Sequence, residues 1–457
     1  MNPTIQSINP ADESILDEFP NWTMLEIEPV INDTQEAFEN WRLLSFSQRS
    51  VFFVQMAVLL RERKEQYAEL MANEMGKPIS QGMMELEKCA WVCDHYAQQT
   101  AQYLADKSIK TESSESFISF QPMGILFMIM PWNFPFWQVI RGAASSIMAG
   151  NTVLLKHASN VFGCALAIEQ LFIDAGFPEN IFRSLLTGSA SSKSIIAHPD
   201  VMAVTLTGSE RAGQSVAMEA GRNLKKSVLE LGGSDPYIVL EDADIDLAVS
   251  SCGLSRMLNG GQVCIAAKRF IVVESIREEF EEKILQMMNT YKMGNPLDTD
   301  TNFGPMAKVK LRDELHQQVL QSIEQGAVLK MGGEIPDKPG AWYPATVLSH
   351  VTKDMTAFRD ELFGPVSSII SAKNEAEAIA LANNSEYGLG AAIFTRDIEK
   401  GRNLARNVIN AGTCVVNDFV KSDPRLPFGG IKKSGYGREI GEYGIKEFVN
   451  IKTIVIR

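Results

Sequence analysis

The segment Ile125-Leu-Phe-Met-Ile-Met130-Pro-Trp-Asn-Phe-Pro135, with the residues that follow it to Gly150, decides the fold. Six apolar residues in a row, stopped by a proline, are typical of a strand that is buried on both faces. Residues 135–148 have helical spacing, and the same alternation is repeated downstream. Further strands are predicted at residues 152–156, 181–186, 203–207 and 227–231, with helices near residues 161–175, 191–197 and 211–220. This order of elements predicts a doubly wound parallel sheet of the α/β class.

A second unit of the same style begins near residue 234. Its predicted strands are residues 237–240, 269–273, 366–370 and 391–395, and its first helix is residues 245–258. Ahead of the first unit, residues 33–107 have a mainly helical pattern. Residues 116–122 and 449–456 alternate between apolar and polar side chains, as exposed strands do. We expect the terminal strand to pair outside its own domain, with residues 117–121.

Composition and charge exclude several classes of protein. The chain has 457 residues, of which 45% are hydrophobic and 22% charged, and its net charge is −13. This charge argues against nucleic acid or an anionic membrane as a partner, although an anionic small substrate stays possible. The first residues lack a signal segment, and six cysteines in a chain of this length do not make a disulfide framework. No metal site is expected at Cys89 and Cys93. We therefore expect a cytoplasmic enzyme.

Two motifs suggest covalent catalysis. Cys264 follows the glycines of Asn259-Gly-Gly-Gln-Val-Cys264, and Glu230 lies in Leu229-Glu-Leu-Gly-Gly233. A thiol in a glycine-rich turn can act as a nucleophile, and a carboxylate beside two glycines can activate a water molecule for a hydrolytic second step. The alternatives are a buried apolar cysteine and a glutamate in a salt bridge at the end of a strand.

Other candidates lie where predicted strands end. Asn133 either caps a helix or donates its amide to an oxyanion. Lys156 is either solvated or in contact with a ribose or phosphate, and the turn at Gly208 and Ser209 could meet a phosphate through its backbone amides. The G-x-G-x-x-G motif of ordinary dinucleotide folds is absent, so a nucleotide would have to be bound differently.

Taken together, these segments resemble the aldehyde dehydrogenase superfamily over essentially the whole chain. The matching segments occur in family order and are Glu74-Met-Gly-Lys-Pro78, Pro131-Trp-Asn-Phe-Pro135, Leu154-Leu-Lys156, Leu206-Thr-Gly-Ser209 with Gly213, Leu229-Glu-Leu-Gly-Gly233, Gly261-Gln-Val-Cys264, Glu361-Leu-Phe-Gly-Pro365 and Pro427-Phe-Gly-Gly-Ile-Lys-Lys-Ser-Gly-Tyr-Gly-Arg438. Within the superfamily, the chain is most similar to bacterial succinate-semialdehyde dehydrogenases that use NAD(P).

The resemblance implies the chemistry and the cofactor. It implies that Cys264 attacks an aldehyde, that Asn133 stabilises the oxyanion, and that Glu230 activates water to hydrolyse a thioester after hydride transfer. The residues that it places at the cofactor are Trp132, Lys156, Ser159, Gly208, Ser209, Gly213, Leu231, Glu361 and Phe363. Relatives that are specific for NAD often have glutamate at the position of Ser159, so we expect NADP to be used alongside NAD or in preference to it.

The resemblance also implies a substrate site for an aldehyde that carries a carboxylate. Arg141 matches an arginine that binds this carboxylate, and Trp137 shares its helix face. A second family arginine is replaced by Leu258, unless Arg425 or Arg256 compensates. Ser422 lies about one position from a serine that contacts substrate. The alternatives are a broad aliphatic or aromatic aldehyde dehydrogenase without carboxylate preference, and a non-catalytic binding protein that retains the fold.

The expected architecture is that of an aldehyde dehydrogenase, with two doubly wound parallel-sheet domains and a small antiparallel bridging sheet. Residues 1–107 and 125–232 are predicted to form the dinucleotide-binding domain and residues 233–440 the catalytic domain. Residues 108–124 and 441–457 are predicted to form the bridging sheet, which the resemblance implies supports a homodimer or homotetramer.

Overall fold

The computed structural model describes residues 4–457, and the described chain forms four sheets. The strands are β1 (Thr4–Ile8), β2 (Ile15–Pro20), β3 (Lys107–Ser108), β4 (Glu115–Pro122), β5 (Ile125–Met130), β6 (Thr152–His157), β7 (Phe182–Ser184), β8 (Val201–Thr207), β9 (Lys226–Glu230), β10 (Pro236–Val239), β11 (Arg269–Val273), β12 (Val328–Met331), β13 (Thr346–Ser349), β14 (Val366–Ala372), β15 (Gly390–Phe394), β16 (Thr413–Val416), β17 (Gly435–Tyr436) and β18 (Val449–Ile456).

The helices surround the two larger sheets. They are α1 (Met24–Trp41), α2 (Phe46–Glu62), α3 (Lys64–Met75), α4 (Ile79–Tyr103), α5 (Trp137–Met148), α6 (Phe162–Asp174), α7 (Ser192–Ala197), α8 (Glu210–Arg222), α9 (Ile245–Met257), α10 (Glu274–Asn289), α11 (Val309–Glu324), α12 (Thr356–Arg359), α13 (Glu375–Asn383), α14 (Ile398–Asn407) and α15 (Gly441–Ile445). Short 3-10 turns occupy Ser159–Val161, Ser189–Ser191, Leu258–Gly261 and Lys432–Ser434.

The first large sheet has the strand order β17-β9-β8-β5-β6-β7. Strands β5 to β9 are parallel to one another, which confirms the prediction. Parallel neighbours need crossover connections, and the helices on both faces of the sheet provide them. β5 is confirmed at its predicted bounds, and its side chains are almost all buried. β17 joins the edge in the antiparallel direction, so residues 435–436 extend the first sheet.

The second large sheet has the order β12-β13-β14-β11-β10-β15-β16. All its neighbouring strands are parallel except β12, which pairs antiparallel with β13 at the edge. Apolar clusters lie on both faces of this sheet, one against α11 and α13 and the other against α9 and α10. The doubly wound pattern predicted for both halves of the chain is therefore confirmed.

The small antiparallel sheet has the order β18-β4-β3. The terminal strand pairs with β4 over its whole length, from Val449 opposite Pro122 to Ile456 opposite Glu115. The predicted pairing of the chain end with residues 117–121 is thus confirmed. The hairpin of β1 and β2 was not predicted, and α1 begins at Met24 rather than near residue 33. Within residues 4–457, none of the helices is long and apolar enough to cross a membrane.

Candidate active site

The loop that carries Cys264 is held in an unusual backbone conformation. After α9 ends, Asn259, Gly260 and Gly261 have φ values of 52°, 60° and 75°. At Gly261 a Cβ atom would lie 2.1 Å from the carbonyl oxygen of Gly364, so any larger residue would push two segments apart. Three consecutive residues in the left-handed region turn the chain sharply, and glycine allows this at low cost. The glycines therefore position the cysteine by tight packing.

Cys264 lies where two cavities meet. The larger cavity, of about 240 Å³, adjoins the carboxyl edge of the first sheet, and the smaller cavity, of about 90 Å³, lies between α4, α5 and residues 419–422. Cys264 and Gln138 line both cavities. Cys264 as a residue is half-buried, and its position at this junction allows contact with ligands in both cavities. Cys414, the other cysteine that is only half-buried, lies in β16 at the edge of the second large sheet and lines neither cavity.

The electrostatic surroundings keep the resting thiol neutral. Burial raises the pKa of Cys264 to about 12, and the nearby cations Lys268 and Arg141 only partly oppose this rise. A thiol in this state is a weak nucleophile until a base takes its proton. The site therefore needs a base close to the sulfur atom.

Lys268 fixes the backbone of the nucleophile loop, and sequence reasoning missed it. Its Nζ donates to the carbonyl oxygens of Val263, at 3.1 Å, and Cys264, at 2.5 Å, and it forms a 3.0 Å ion pair with Glu361. Glu361 also accepts a 3.1 Å hydrogen bond from the backbone of Gly233. Lys268 is four residues after Cys264, and a cation this close in sequence to a candidate nucleophile was the signal that could have revealed it.

Asn133 is positioned by hydrogen bonds rather than by capping a helix. Its Nδ2 donates to the backbone carbonyl oxygen of Gln262 at 2.9 Å, and its own backbone carbonyl oxygen accepts from Nδ2 of Asn259 at 2.7 Å. An amide nitrogen has two hydrogens, of which this bond uses one, and Asn133 lines the larger cavity together with Cys264. The helix-capping alternative is wrong, because no side-chain cap is made at the start of α5.

Glu230 ends β9 and is buried close to other charges. Burial raises the pKa of its carboxyl group well above the ordinary value, the carboxylate of Glu439 adds to the rise, and Arg141 and Arg438 oppose it. Neither carboxyl oxygen has a hydrogen-bond partner among residues 4–457. The carboxyl group packs against Gly429 and lines neither cavity, whereas the next two residues, 231 and 232, line the larger cavity.

The larger cavity gathers most of the residues predicted to contact a dinucleotide. Those that line it are Trp132, Gly208, Ser209, Leu231, Glu361 and Phe363. The rings of Trp132 and Phe363 meet edge to face at a centroid distance of 5.8 Å. Ser209 caps α8, whose N-terminus opens toward the cavity, and the buried hydroxyl of Thr207 has no hydrogen-bond partner in the described chain. Apolar walls beside a helix N-terminus fit a flat ring and a pyrophosphate.

Three further predicted cofactor residues lie beyond the lining of this cavity. Lys156 is buried at the end of β6, burial lowers its pKa to about 8, and it has no acidic partner within residues 4–457. Ser159 begins the next turn. Gly213 lies within α8, where a Cβ would come within 2.6 Å of Leu231, so it permits close packing of helix and strand.

The smaller cavity contains some of the predicted substrate residues. Trp137, Arg141, Leu258 and Ser422 line it. Arg141, however, is almost fully buried in an ion pair with Glu439. Sequence reasoning also missed Lys88, which lines the same cavity from α4, and only the folded chain reveals it.

The two arginines considered as substitutes at Leu258 are placed elsewhere. Arg425 is exposed, pairs with Asp423 at 2.6 Å, and does not line the smaller cavity. The expectation that Arg425 contacts the substrate is therefore wrong, because Asp423 in the same loop already pairs with its guanidinium group. Arg256 is fully buried and donates to the backbone oxygens of Gly261 and Leu362, so it supports the nucleophile loop. In the described part of the chain, no group of three or more potential metal ligands is found.

The comparison with known proteins agrees with this architecture. The model described as the aldehyde dehydrogenase family matches residues 1–454, and the chain belongs to this family. It is 47% identical over 452 residues to a probable succinate-semialdehyde dehydrogenase (NADP(+)) of Synechocystis sp., covering 99% of each chain. It is 45% identical to the succinate semialdehyde dehydrogenase (NAD(P)+) Sad of Escherichia coli, covering 98% of this chain and 97% of that one.

Solved structures give the same result. The succinic semialdehyde dehydrogenase of Streptococcus pyogenes, solved with NADP+ as the cofactor, superposes with a TM-score of 0.96 at 37% identity. The superposition covers 99% of each chain. The aldehyde dehydrogenase fold predicted from the motifs is therefore confirmed for the whole chain.

Proposed function

We propose that this chain oxidises succinate semialdehyde to succinate, with NADP or NAD as the hydride acceptor. The observation that carries the proposal is the position of Cys264, which lies at the junction of a cavity suited to a dinucleotide and a second cavity lined by basic residues. Curated relatives that share 43–47% of their residues with the chain have names with the same activity.

Cys264 and Glu230 are assigned the two proton-dependent steps. The raised pKa of the Cys264 thiol means that the attack on the aldehyde carbon requires removal of its proton. Glu230 is a suitable base because burial and Glu439 also raise its pKa, which reduces the free-energy difference for the transfer. The charge of Glu230 acts on the Cys264 thiol, so the two groups lie close together, and in this assignment the carboxyl group turns from its position against Gly429 toward the sulfur atom.

Asn133 and the backbone of Cys264 stabilise the oxyanion that forms when the carbonyl is attacked. One amide hydrogen of Asn133 is fixed on Gln262, and we assign the second to the oxyanion because Asn133 lines the larger cavity together with Cys264. A donor fixed before the reaction needs no reorganisation, and one such donor contributes about 10²–10³-fold in rate. After the oxidation step, Glu230 loses the thiol proton to solvent and then activates a water molecule, which hydrolyses the thioester, releases succinate and restores the Cys264 thiol.

The larger cavity is assigned to the cofactor. The chemistry that a bound nicotinamide supplies is the acceptance of a hydride. The N-terminus of α8 at Ser209 would hold the pyrophosphate, and Trp132, Leu231 and Phe363 would enclose the rings. Lys156 and Ser159 would contact the adenosine ribose, where a hydroxyl group in place of a carboxylate removes repulsion of a 2′-phosphate. This supports use of NADP.

A second activity, on aliphatic or aromatic aldehydes without a carboxylate, is favoured by one observation. The smaller cavity is also lined by Phe134, Trp137, Leu258, Phe419 and Phe428, which would accept an apolar substrate. We also propose that the small sheet of β3, β4 and β18 supports a homodimer or homotetramer, and that the enzyme works in the cytoplasm. The six free thiols are compatible with a reducing compartment.

The test is a panel of kcat/KM values for succinate semialdehyde, glutarate semialdehyde, butanal and benzaldehyde, each with NADP and with NAD. We expect succinate semialdehyde with NADP to give the highest value, and Cys264→Ala to abolish activity with every aldehyde. A higher value for butanal or benzaldehyde would favour the second activity. Persistence of full activity in Cys264→Ala would exclude the family mechanism for this chain.

A further inference from the structure

Lys88 reaches the smaller cavity from α4, far in sequence from the motifs of the site. Its Nζ donates to the Ser422 hydroxyl at 2.7 Å and lies 4.3 Å from the centroid of the Trp137 ring. The side chain is partly buried and lines the same cavity as Cys264. An ammonium group has three donor hydrogens, so two are left for a ligand.

The charged residues that line this cavity are all positive. Lys88, Arg141 and Lys421 line it, and its lining contains no aspartate or glutamate among residues 4–457, in a chain whose net charge is −13. Arg141 is neutralised by Glu439, and Lys421 forms a 2.8 Å ion pair with Asp418. Lys88 alone of the three has no carboxylate within ion-pair distance in the described chain. A partly buried cation without a counter-ion is a strong site for an anion.

We propose that Lys88, together with the Ser422 hydroxyl, binds the carboxylate of the substrate and orients its aldehyde carbon toward Cys264. This inference rests on the proposed function and adds the cation that selects the substrate class. Leu258 offers no charge in the cavity, and both Arg256 and Arg425 lie outside its lining. Lys88, on α4, would therefore supply the positive charge that the family arginine at the position of Leu258 supplies in relatives.

Trp137 and Ser422 hold Lys88 in position. The indole ring supports the ammonium group through a cation–π contact, and the hydroxyl fixes its direction. Both partners also line the cavity, so a bound carboxylate would complete the coordination of the lysine without displacing either. Charge-assisted hydrogen bonds of this kind contribute enough to change affinity by about 10- to 100-fold.

The test compares Lys88→Met with Lys88→Arg. Methionine retains the length and the packing on Trp137 but removes the charge, so KM for succinate semialdehyde should rise about 10- to 100-fold, with a change of less than about threefold for butanal. Arginine should recover a large part of the loss. Lys421→Met is the matched control, because this lysine lines the same cavity but is already paired, and it should change neither KM appreciably.

The outcomes separate this inference from the proposed function. If the wild type prefers succinate semialdehyde over butanal, and Lys88→Met leaves this preference unchanged or lowers kcat/KM equally for both, the role of Lys88 is wrong and the function stands. If the wild type has no such preference, the proposed function itself is wrong. If Lys88→Met does not fold, Lys88→Gln, which also removes the charge, and Ser422→Ala give the same comparison, and an unchanged preference in both overturns the inference.

The pH dependence gives a second readout. Burial, with a smaller contribution from Arg141, lowers the pKa of Lys88 to about 8 against the opposing effects of Cys89, Glu85 and Asp423. KM for succinate semialdehyde should therefore rise above about pH 8 in the wild type, while KM for butanal stays flat. In Lys88→Arg the rise should vanish, because guanidinium stays charged. A rise of equal size in Lys88→Arg would contradict the assignment.

Discussion

Replacement of Glu230 by glutamine tests the assignment of the catalytic base. The change keeps the shape of the side chain, and it breaks no hydrogen bond, because neither carboxyl oxygen has a partner in the described chain. It removes the base for thioester hydrolysis. A positioned general base contributes about 10²–10⁴-fold, so kcat should fall by that factor, equivalent to about 3–5 kcal/mol.

The effect on stability has the opposite sign and serves as a control. The folded-state pKa of Glu230 is raised, so the wild type loses stability as pH rises from the unfolded pKa of about 4.3 through the higher folded value. Glu230→Gln lacks this loss. Its Tm should equal that of the wild type near pH 4 and exceed it progressively at higher pH. A variant that is both slower and less stable at pH 8 would be damaged structurally.

The assay is stopped-flow absorbance of NADPH after mixing enzyme and cofactor with succinate semialdehyde. At pH 9, where the thiol ionises more readily without a base, Glu230→Gln should form at most one NADPH per active site and then stall, because the thioester is not hydrolysed. A steady-state rate of Glu230→Gln within about threefold of the wild-type rate would refute the reasoning, because loss of a general base lowers the rate by a much larger factor.

Three more substitutions examine the neighbouring assignments. Asn133→Ala should lower kcat about 10²–10³-fold with little change in Tm, because Asn259 still donates to Gln262; an unchanged kcat would remove Asn133 from the oxyanion site. Ser159→Glu should lower kcat/KM for NADP by about 10-fold or more while leaving that for NAD within about threefold, and equal losses would contradict the 2′-phosphate contact. Glu439→Gln should lower the pKa of Glu230 and shift the acidic limb of the kcat–pH profile to lower pH; a shift to higher pH would contradict the assigned coupling.

The sequence predicted the parts of this protein that depend on local pattern. Strands β5 and β11 were predicted with correct bounds because their side chains, apart from Arg269, form an apolar run that a proline ends in β5 and a charged helix start ends in β11. The helical pattern predicted for residues 33–107 is confirmed, and α4, which contains Lys88, is its longest helix. The hairpin of β1 and β2 was missed, since it is largely exposed and its residues lack a run of apolar side chains.

The charge arrangement of the substrate cavity depends on contacts across the fold. Lys88 meets Ser422, which is 334 positions away, and nothing in the sequence around either residue indicates the contact. Arg141 and Glu439 are also far apart in sequence. The arginine that was predicted to bind the substrate carboxylate therefore has a carboxylate partner within the protein that the sequence did not indicate. Arg425 was considered as a substitute for the arginine that is missing at Leu258, but it forms an ion pair with Asp423 in its own loop.

The central claim is that the sulfur atom of Cys264 captures the carbonyl carbon and keeps it until water arrives. The most direct measurement is mass spectrometry of peptides from Glu230→Gln quenched in acid after reaction with succinate semialdehyde and NADP. We predict that the peptide containing Cys264 gains the mass of one succinyl group, and that the other five cysteines stay unmodified. An unmodified Cys264 in enzyme that has already formed NADPH would contradict the account.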